Sequence, residues 1–179
     1  MRYPTGYSEK VYVRAGILPM LGDDGRSQGG KHSPKYHYRW ETTREALFVM
    51  KDHDGRPCEG IMVEYCDPTT GRPVMPNMSF RVQMLRGGEA TLPCRDMSSA
   101  IYCCIEGSGY TEIGDVRLEW QENYVFVASN WMWRRHVNGS PDREAVLYSV
   151  SDFPIIDRAG LLRRQVKNEQ GEIVDVVSF

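Results

Sequence analysis

From Gly60 onward the chain consists of short apolar runs that end at glycine, proline or aspartate, and this pattern most constrains the fold. The clearest runs cover residues 79–85, which end before Gly87, and residues 100–105, which end before Gly107. Short apolar runs with these boundaries are typical of β-strands, because glycine and proline interrupt regular pairing. The 17 glycines and 10 prolines among 179 residues fit a turn-rich protein. The pattern predicts an all-β sandwich or barrel, with further strands at 61–66, 110–113, 116–120, 124–128 and 145–150.

Two short helices are expected at the borders of the strand-rich region. Thr42 and Glu45 have the spacing of a capping box, and apolar residues follow on one face, which predicts a helix that ends near residues 52–55. Pro154 suits the first turn of a second helix that runs to about residue 162.

The two ends of the chain have a different character. Residues 22–35 are polar and glycine-rich without periodicity, which predicts an arm or a loop lying over another surface. The segment 172–179 is a possible last strand. We therefore expect an N-terminal arm and helix at 1–59, a barrel at 60–156, and a C-terminal helix and tail at 157–179.

Length and charge exclude several classes of protein. A chain of 179 residues predicts one domain, and its net charge of −2 does not favour a nucleic-acid surface. No apolar run approaches the roughly 18 residues that a membrane span needs, and the N-terminus lacks the apolar core of a signal peptide. The five cysteines show no CxxC spacing. We expect a cytoplasmic protein with reduced thiols that binds neither nucleic acid nor membrane.

The middle of the chain is similar to a known family. The segment SSAIYCCIEGSGYTEIG at 98–114 and the pair Trp131 and Trp133 resemble the C-terminal half of gentisate 1,2-dioxygenases, which are bicupin ring-cleaving enzymes. The resemblance extends over roughly residues 36–164. It implies a cupin, which is a double-stranded jelly roll, and an expected homodimer or pairing with a second cupin.

The first cupin motif keeps its spacing and loses its metal ligands. In the family it reads Gly, five residues, His-x-His, three or four residues, Glu, six residues, Gly. Here Gly88 and Gly107 frame the motif. Cys94 and Asp96 stand in place of the two histidines, and Ala100 stands in place of the glutamate.

The second motif is altered in the same way. In the family it reads Gly, five residues, Pro, one residue, Gly, two residues, His, three residues, Asn. In this chain the corresponding residues are Asn123, Ser129, Trp131, Arg134 and Asn138. The third histidine ligand is therefore replaced by Arg134, whereas the closing asparagine remains.

These replacements argue against iron on this chain. Iron sites of this kind use imidazoles with or without a carboxylate, whereas Arg134 is a permanent cation without a lone pair to donate. Ala100 offers no donor atom. Cys94, Asp96 and His136 would form only a weak, improvised site. We therefore expect no metal or other cofactor here, with Fe²⁺ confined to the metal-bearing cupin of the family, and an Arg134–Asp96 ion pair in the former metal cavity.

Alternation along residues 100–105 would point Ala100, Tyr102 and Cys104 into the barrel. Polar residues around them could line a pocket for a small anionic or phenolic ligand, or could satisfy one another in a closed core. No catalytic residue is assigned. The pocket candidates are Gln83, Cys94, Asp96, Tyr102, Arg134 and His136.

Two functions follow from these alternatives. In the first, the chain is a structural or oligomerising half of an aromatic ring-cleaving dioxygenase and is inactive alone. In the second, it is a stand-alone, metal-independent cupin that binds, isomerises or cyclises an aromatic or polyketide-like molecule. In that case Arg134 would anchor a carboxylate or enolate, and Asp96, Tyr102 or His136 would move protons.

Overall fold

A computed structural model describes residues 37–68 and 70–176. The predicted arm at 22–35 lies outside the described residues. The helices are α1 (Trp40–Val49) and α2 (Phe153–Arg158). The strands are β1 (Ile61–Glu64), β2 (Ser79–Leu85), β3 (Cys94–Asp96), β4 (Ala100–Glu106), β5 (Ser108–Ile113), β6 (Val116–Gln121), β7 (Val125–Ala128), β8 (Arg134–Asn138), β9 (Ala145–Ser151), β10 (Arg164–Lys167) and β11 (Ile173–Asp175). Neither helix in this part of the chain has the length and apolar character that a bilayer crossing requires.

Two antiparallel sheets face each other. One has the strand order β1-β2-β9-β4-β7, and the other has the order β11-β10-β3-β8-β5-β6. Strands distant in sequence are neighbours in both sheets, because β9 lies between β2 and β4 while β8 lies between β3 and β5. Such crossovers between two sheets characterise a jelly roll. The predicted all-β jelly roll is confirmed.

The core between the sheets follows the predicted alternation of β4. Ala100, Tyr102 and Cys104 are buried in one cluster, whereas Ile101 on the opposite face is 51% exposed. The cluster is completed by residues of both sheets, including Ile113, Trp120, Ala128, Ala145 and Leu147. The interior of the barrel is therefore the face on which every second β4 side chain lies.

A second apolar cluster covers the outer face of the five-stranded sheet. Leu47 of α1 packs there against Ile61, Val82, Met84 and Val146, all of them buried. Because β2 buries Val82 and Met84 on this side, strand alternation directs Gln83 toward the barrel interior. Helix α1 therefore covers the outer face of three strands and does not reach the barrel interior.

Both helices differ from their predicted limits. Helix α1 begins at Trp40, and its N-cap, Arg39, makes no side-chain capping bond. The predicted capping box of Thr42 and Glu45 is therefore wrong, because those residues already lie inside the helix, and Trp40 packs against the outer cluster. Helix α2 ends at Arg158, earlier than predicted. Gly160, at φ +68°, provides the left-handed residue that commonly follows a helix end.

Three strands were not predicted from the apolar pattern. They are β3, β8 and β10, whose sequences CRD, RRHVN and RQVK are dominated by polar residues. Their inward positions are nevertheless buried, in strand-like alternation. The possible strand at the C-terminus is present as β11, which pairs with β10 of the same chain, and residues 177–179 lie outside the described part.

Candidate active site position

The backbone retains the register of both cupin motifs. Gly88 and Gly107 have φ values of +67° and +85°. Asn123 and Trp131 stand where the second motif has glycine, with φ values of +67° and +58°. They are the two residues other than glycine with a positive φ between residues 37 and 176, Thr69 apart. Because bulky side chains rarely adopt this conformation, its recurrence at the motif glycines supports the assignment of the ligand positions.

The first two ligand positions lie beside the third. Strand β3 pairs with β8 so that Cys94 is opposite Arg134, and both are buried. Arg134 Nη2 donates a hydrogen bond of 2.5 Å to Asp96 Oδ2, with both side chains less than 10% exposed. The other carboxylate oxygen accepts hydrogen bonds from the Ser98 amide and hydroxyl groups, at 2.9 and 2.5 Å. The expected ion pair is therefore present, and its carboxylate is fully engaged.

His136 lies two residues after Arg134 on β8 and belongs to a second hydrogen-bonded group. Its Nδ1 lies 2.8 Å from Thr111 Oγ1, which also accepts a hydrogen bond of 2.9 Å from Trp120 Nε1. Burial and the nearby Arg134 lower the pKa of His136 from 6.5 to about 3. The imidazole is therefore neutral, because removing a charged ring from water is costly and a cation lies nearby.

Tyr102 lies beside both His136 and Arg134. Its ring stacks on Phe126, with centroids 5.1 Å apart, and lies 4.9 Å from the ring of His136. Burial raises the pKa of Tyr102, although Arg134 opposes that shift. The phenol is therefore protonated near neutral pH.

Two buried nitrogen atoms in this region lack hydrogen bonds within the described part of the chain. They are Nη1 of Arg134 and Nε2 of Gln83. A buried donor without an acceptor is costly, typically about 1–3 kcal/mol, and such atoms commonly bind an ordered water or a ligand. The barrel interior therefore has unused donor capacity at these two atoms.

The side chains present do not fit the iron site that the cupin motifs imply. Residues 37–68 and 70–176 contain no group of three His, Cys, Asp or Glu side chains that could hold a metal ion. Asp96 is bonded to Arg134, and His136 shares its Nδ1 with Thr111. Ala100 supplies no donor. A guanidinium at the third ligand position also repels a divalent cation.

Cys94 has a partner that the sequence did not indicate. Its thiol interacts with that of Cys58, in the turn before β1, and all five cysteines of the chain are free thiols. A hydrogen bond from Cys94, assisted by Arg164 and opposed by burial, lowers the pKa of Cys58 to about 6. The same hydrogen bond and burial raise the pKa of Cys94 well above its ordinary value.

Two surface cavities lie elsewhere on the molecule, and none of the six pocket candidates lines either of them. One, of about 420 Å³, is lined by residues 51–55 and Arg86 and includes the turn residue His53. The other, of about 430 Å³, is lined by His37, Tyr38, Tyr65, Val74, Met75, Phe80 and Tyr148. The six candidates are instead all buried side chains.

Comparison with known proteins identifies the relatives of this chain. No family model matches it. It is 35% identical over 134 residues to 5-aminosalicylate 1,2-dioxygenase of a Comamonas species, covering 74% of this chain and 35% of that protein. It is 34% identical over 161 residues to gentisate 1,2 dioxygenase 1 of Aquipseudomonas alcaligenes, covering 89% of this chain and 44% of that protein.

A solved structure gives the same result for the fold. The salicylate 1,2-dioxygenase of Pseudaminobacter salicylatoxidans superposes with a TM-score of 0.71 and 24% identity, over 93% of this chain and 47% of that chain. The chain thus spans less than half the length of the relatives it matches. The sequence relatives, the jelly roll and the retained motif register together show that the chain belongs to the gentisate dioxygenase-like cupins.

Proposed function

We propose that this chain is a metal-free cupin of an aromatic ring-cleaving dioxygenase, which completes the fold and the oligomer and does not itself cleave the ring. Ring cleavage would take place on Fe²⁺ in another cupin of the assembly. The chain aligns with 44% of the gentisate dioxygenase and 47% of the salicylate dioxygenase structure, which is the share expected for one cupin of a two-cupin protein.

The observation that carries the proposal is the Arg134–Asp96 ion pair at two ligand positions. A buried guanidinium that is bonded to a buried carboxylate neutralises the charge that would otherwise attract a metal ion. Retention of the motif backbone without its ligands fits a domain kept for its shape. Because losing one partner would leave an unpaired buried charge, we expect each of the two residues to require the other.

Pairing with a second cupin is supported by an exposed apolar strip. Ile101, Val125 and Val127 are 51%, 64% and 56% exposed, and Ile101 lies opposite Val127 in the register of β4 and β7. Strand β7 is an edge strand, which natural proteins usually cover or charge. We propose a homodimer or a second cupin in this role, in the cytoplasm, where the five free thiols would remain reduced.

Turnover of gentisate by the isolated chain tests the proposal. The purified chain is supplied with Fe²⁺, oxygen and gentisate, and the ring-cleavage product is followed by absorbance. We expect no iron-dependent product. Iron-dependent turnover that is lost in the Asp96→Asn variant would overturn the proposal, because it would assign a metal ligand to this chain.

A second function has one observation in its favour. The unpaired Nη1 of Arg134 and Nε2 of Gln83 could donate hydrogen bonds to a small carboxylate or enolate in the barrel. This would make the chain a metal-independent cupin that binds, isomerises or cyclises an aromatic or polyketide-like molecule. In such a reaction the neutral His136 or the protonated Tyr102 would exchange protons with the ligand.

Calorimetric titration with salicylate and gentisate separates the two functions. A structural half would bind neither molecule in the barrel, and Gln83→Leu would fold and behave like the parent chain. Specific binding that Gln83→Leu weakens at least tenfold, without loss of folding by circular dichroism, would favour the second function.

A further inference from the structure

Contacts on both sides of Cys58 place it against strand β3. The carbonyl oxygen of Pro57 accepts a hydrogen bond of 2.7 Å from the amide of Leu92, two residues before Cys94. Glu59 forms a partly buried ion pair with Arg164 of β10. The residue before Cys58 is therefore anchored to the segment that contains Cys94, and the residue after it is anchored to β10, the strand that pairs with β3.

The register of β10 places this strand beside the same segment of β3. Arg164 lies opposite Asp96, and Val166 lies opposite Cys94. Cys58 and Cys94 are thus two thiols from separate elements that interact in one place, and both are at least 95% buried. Thiols brought together in this way have short access to a disulfide, whereas Cys66, Cys103 and Cys104 instead interact with backbone carbonyl groups.

The charges around the pair favour reaction at Cys58. Arg164 interacts with Cys58 directly, and Arg134 lies within electrostatic range of both thiols. Neighbouring cations stabilise a thiolate, which is the nucleophilic form of cysteine. Because Arg164 is paired with Glu59, the neighbour of Cys58, we assign Cys94 as the second, resolving thiol.

We propose that Cys58 and Cys94 are a redox-sensitive pair, which a peroxide converts into a disulfide that clamps the turn before β1 to strand β3. This role is separate from the proposed metal-free function, since it concerns the oxidation of two thiols and not the binding of a metal ion at the position of Cys94. Its consequence is mechanical. The clamp would fix the strand that carries Asp96, and through the ion pair it would stiffen β8 as well.

The reaction balances with hydrogen peroxide as the oxidant. The Cys58 thiolate attacks one peroxide oxygen, the O–O bond breaks, and hydroxide leaves to give a sulfenic acid on Cys58. The Cys94 sulfur then attacks the Cys58 sulfur, the S–O bond breaks, and the S–S bond forms. The hydroxyl group leaves with the Cys94 proton as water. Two thiols are oxidised by two electrons, and one peroxide is reduced to two waters.

Peptide mapping of the native chain tests the proposal. The purified chain is treated with hydrogen peroxide, remaining thiols are alkylated, and the protein is digested without reduction. We expect one cross-linked species that joins the peptides containing Cys58 and Cys94, lighter by about 2 Da than the two reduced peptides together. Dithiothreitol should restore both free thiols, because disulfides are reversible.

Variants separate the two roles and provide a matched control. Cys94→Ser should stop oxidation at a Cys58 sulfenic acid, which dimedone traps, and Cys66→Ser should leave the cross-link unchanged. If Cys94→Ser does not fold, the map of the parent chain still decides the matter. Absence of the Cys58–Cys94 peptide under conditions that oxidise other cysteines, or its formation only in guanidinium, would overturn the proposal.

Discussion

The two faces of the five-stranded sheet show two different ways to bury side chains. The outer face packs Leu47 of α1 on Val82, Met84 and Val146, which form an apolar cluster. The inner face closes on the Arg134–Asp96 ion pair and on His136. The outer face derives its stability from area removed from water, whereas the inner face must satisfy each polar group individually. Removing one polar partner on the inner face should therefore lower the free energy of unfolding more than truncating an apolar residue on the outer face. Removing both partners of the ion pair together should lower it less than removing one.

The largest effect is expected from breaking the ion pair on one side. Asp96→Ala leaves the buried Arg134 guanidinium without its partner, and we expect it to lower the free energy of unfolding by about 4 kcal/mol. The matched control is Asp96→Asn with Arg134→Met, which removes both charges. It should be nearly neutral, because the cost of burying the ions disappears with the pair. Urea denaturation measures both, and equal losses would contradict this view of the inner face.

The outer face should show simple loss of packing. Leu47 is fully buried, and Leu47→Ala should lower the free energy of unfolding by about 3 kcal/mol, through lost transfer energy and a residual cavity. Val49→Ala, at the exposed end of the same helix, is the control and should change stability by less than about 0.5 kcal/mol. A Leu47→Ala loss no larger than that of the control would show that α1 does not seal the sheet.

Acidification should weaken the inner face specifically. His136 has its pKa lowered to about 3 in the fold, so between that value and 6.5 the unfolded chain binds a proton that the folded chain excludes. Stability should therefore fall as pH decreases below 6.5, by up to about 1.4 kcal/mol for each pH unit. The measurement is the difference in free energy of unfolding between the parent chain and the His136→Gln variant, at pH values from 7 to 5. Parallel pH profiles would contradict the neutral, buried imidazole.

The smallest effect concerns the motif backbone. Asn123, at φ +67°, occupies a position that suits glycine, so Asn123→Gly should change stability by only a few tenths of a kcal/mol. Asn123→Ala should cost about 1 kcal/mol, because alanine is strained in the left-handed region. Thermal unfolding compares the two variants. If alanine were the better substitute, the assigned register of the second motif would be wrong.

The same contrast explains how much the sequence could predict. Strands β2 and β4 have apolar side chains at regular spacing, and the sequence located both to within one residue. Strands β3 and β8 were missed by hydrophobicity because their buried positions hold Cys94, Asp96, Arg134 and His136. Only the spacing of the cupin motifs placed these residues together. Apolar periodicity indicates a strand whose buried side chains are apolar, and it gives no signal where the buried side chains are polar.

Other features had no local signal at all. The contact of Cys58 with Cys94 depends on how the turn before β1 docks on β3, which neither segment encodes alone. The unpaired donors of Gln83 and Arg134 likewise arise from the packing of two sheets. Helix α1 was expected, but its start at Trp40 was set by packing on the outer cluster and not by a cap.

The most direct test of the central claim is the iron content of the reconstituted chain. The purified protein is incubated anaerobically with Fe²⁺, passed through a desalting column and assayed by elemental analysis, beside its Asp96→Asn variant. We expect iron to be removed from both proteins, because an arginine bonded to Asp96 fills the ligand positions. One iron per chain that survives desalting in the parent and is lost in the variant would contradict it.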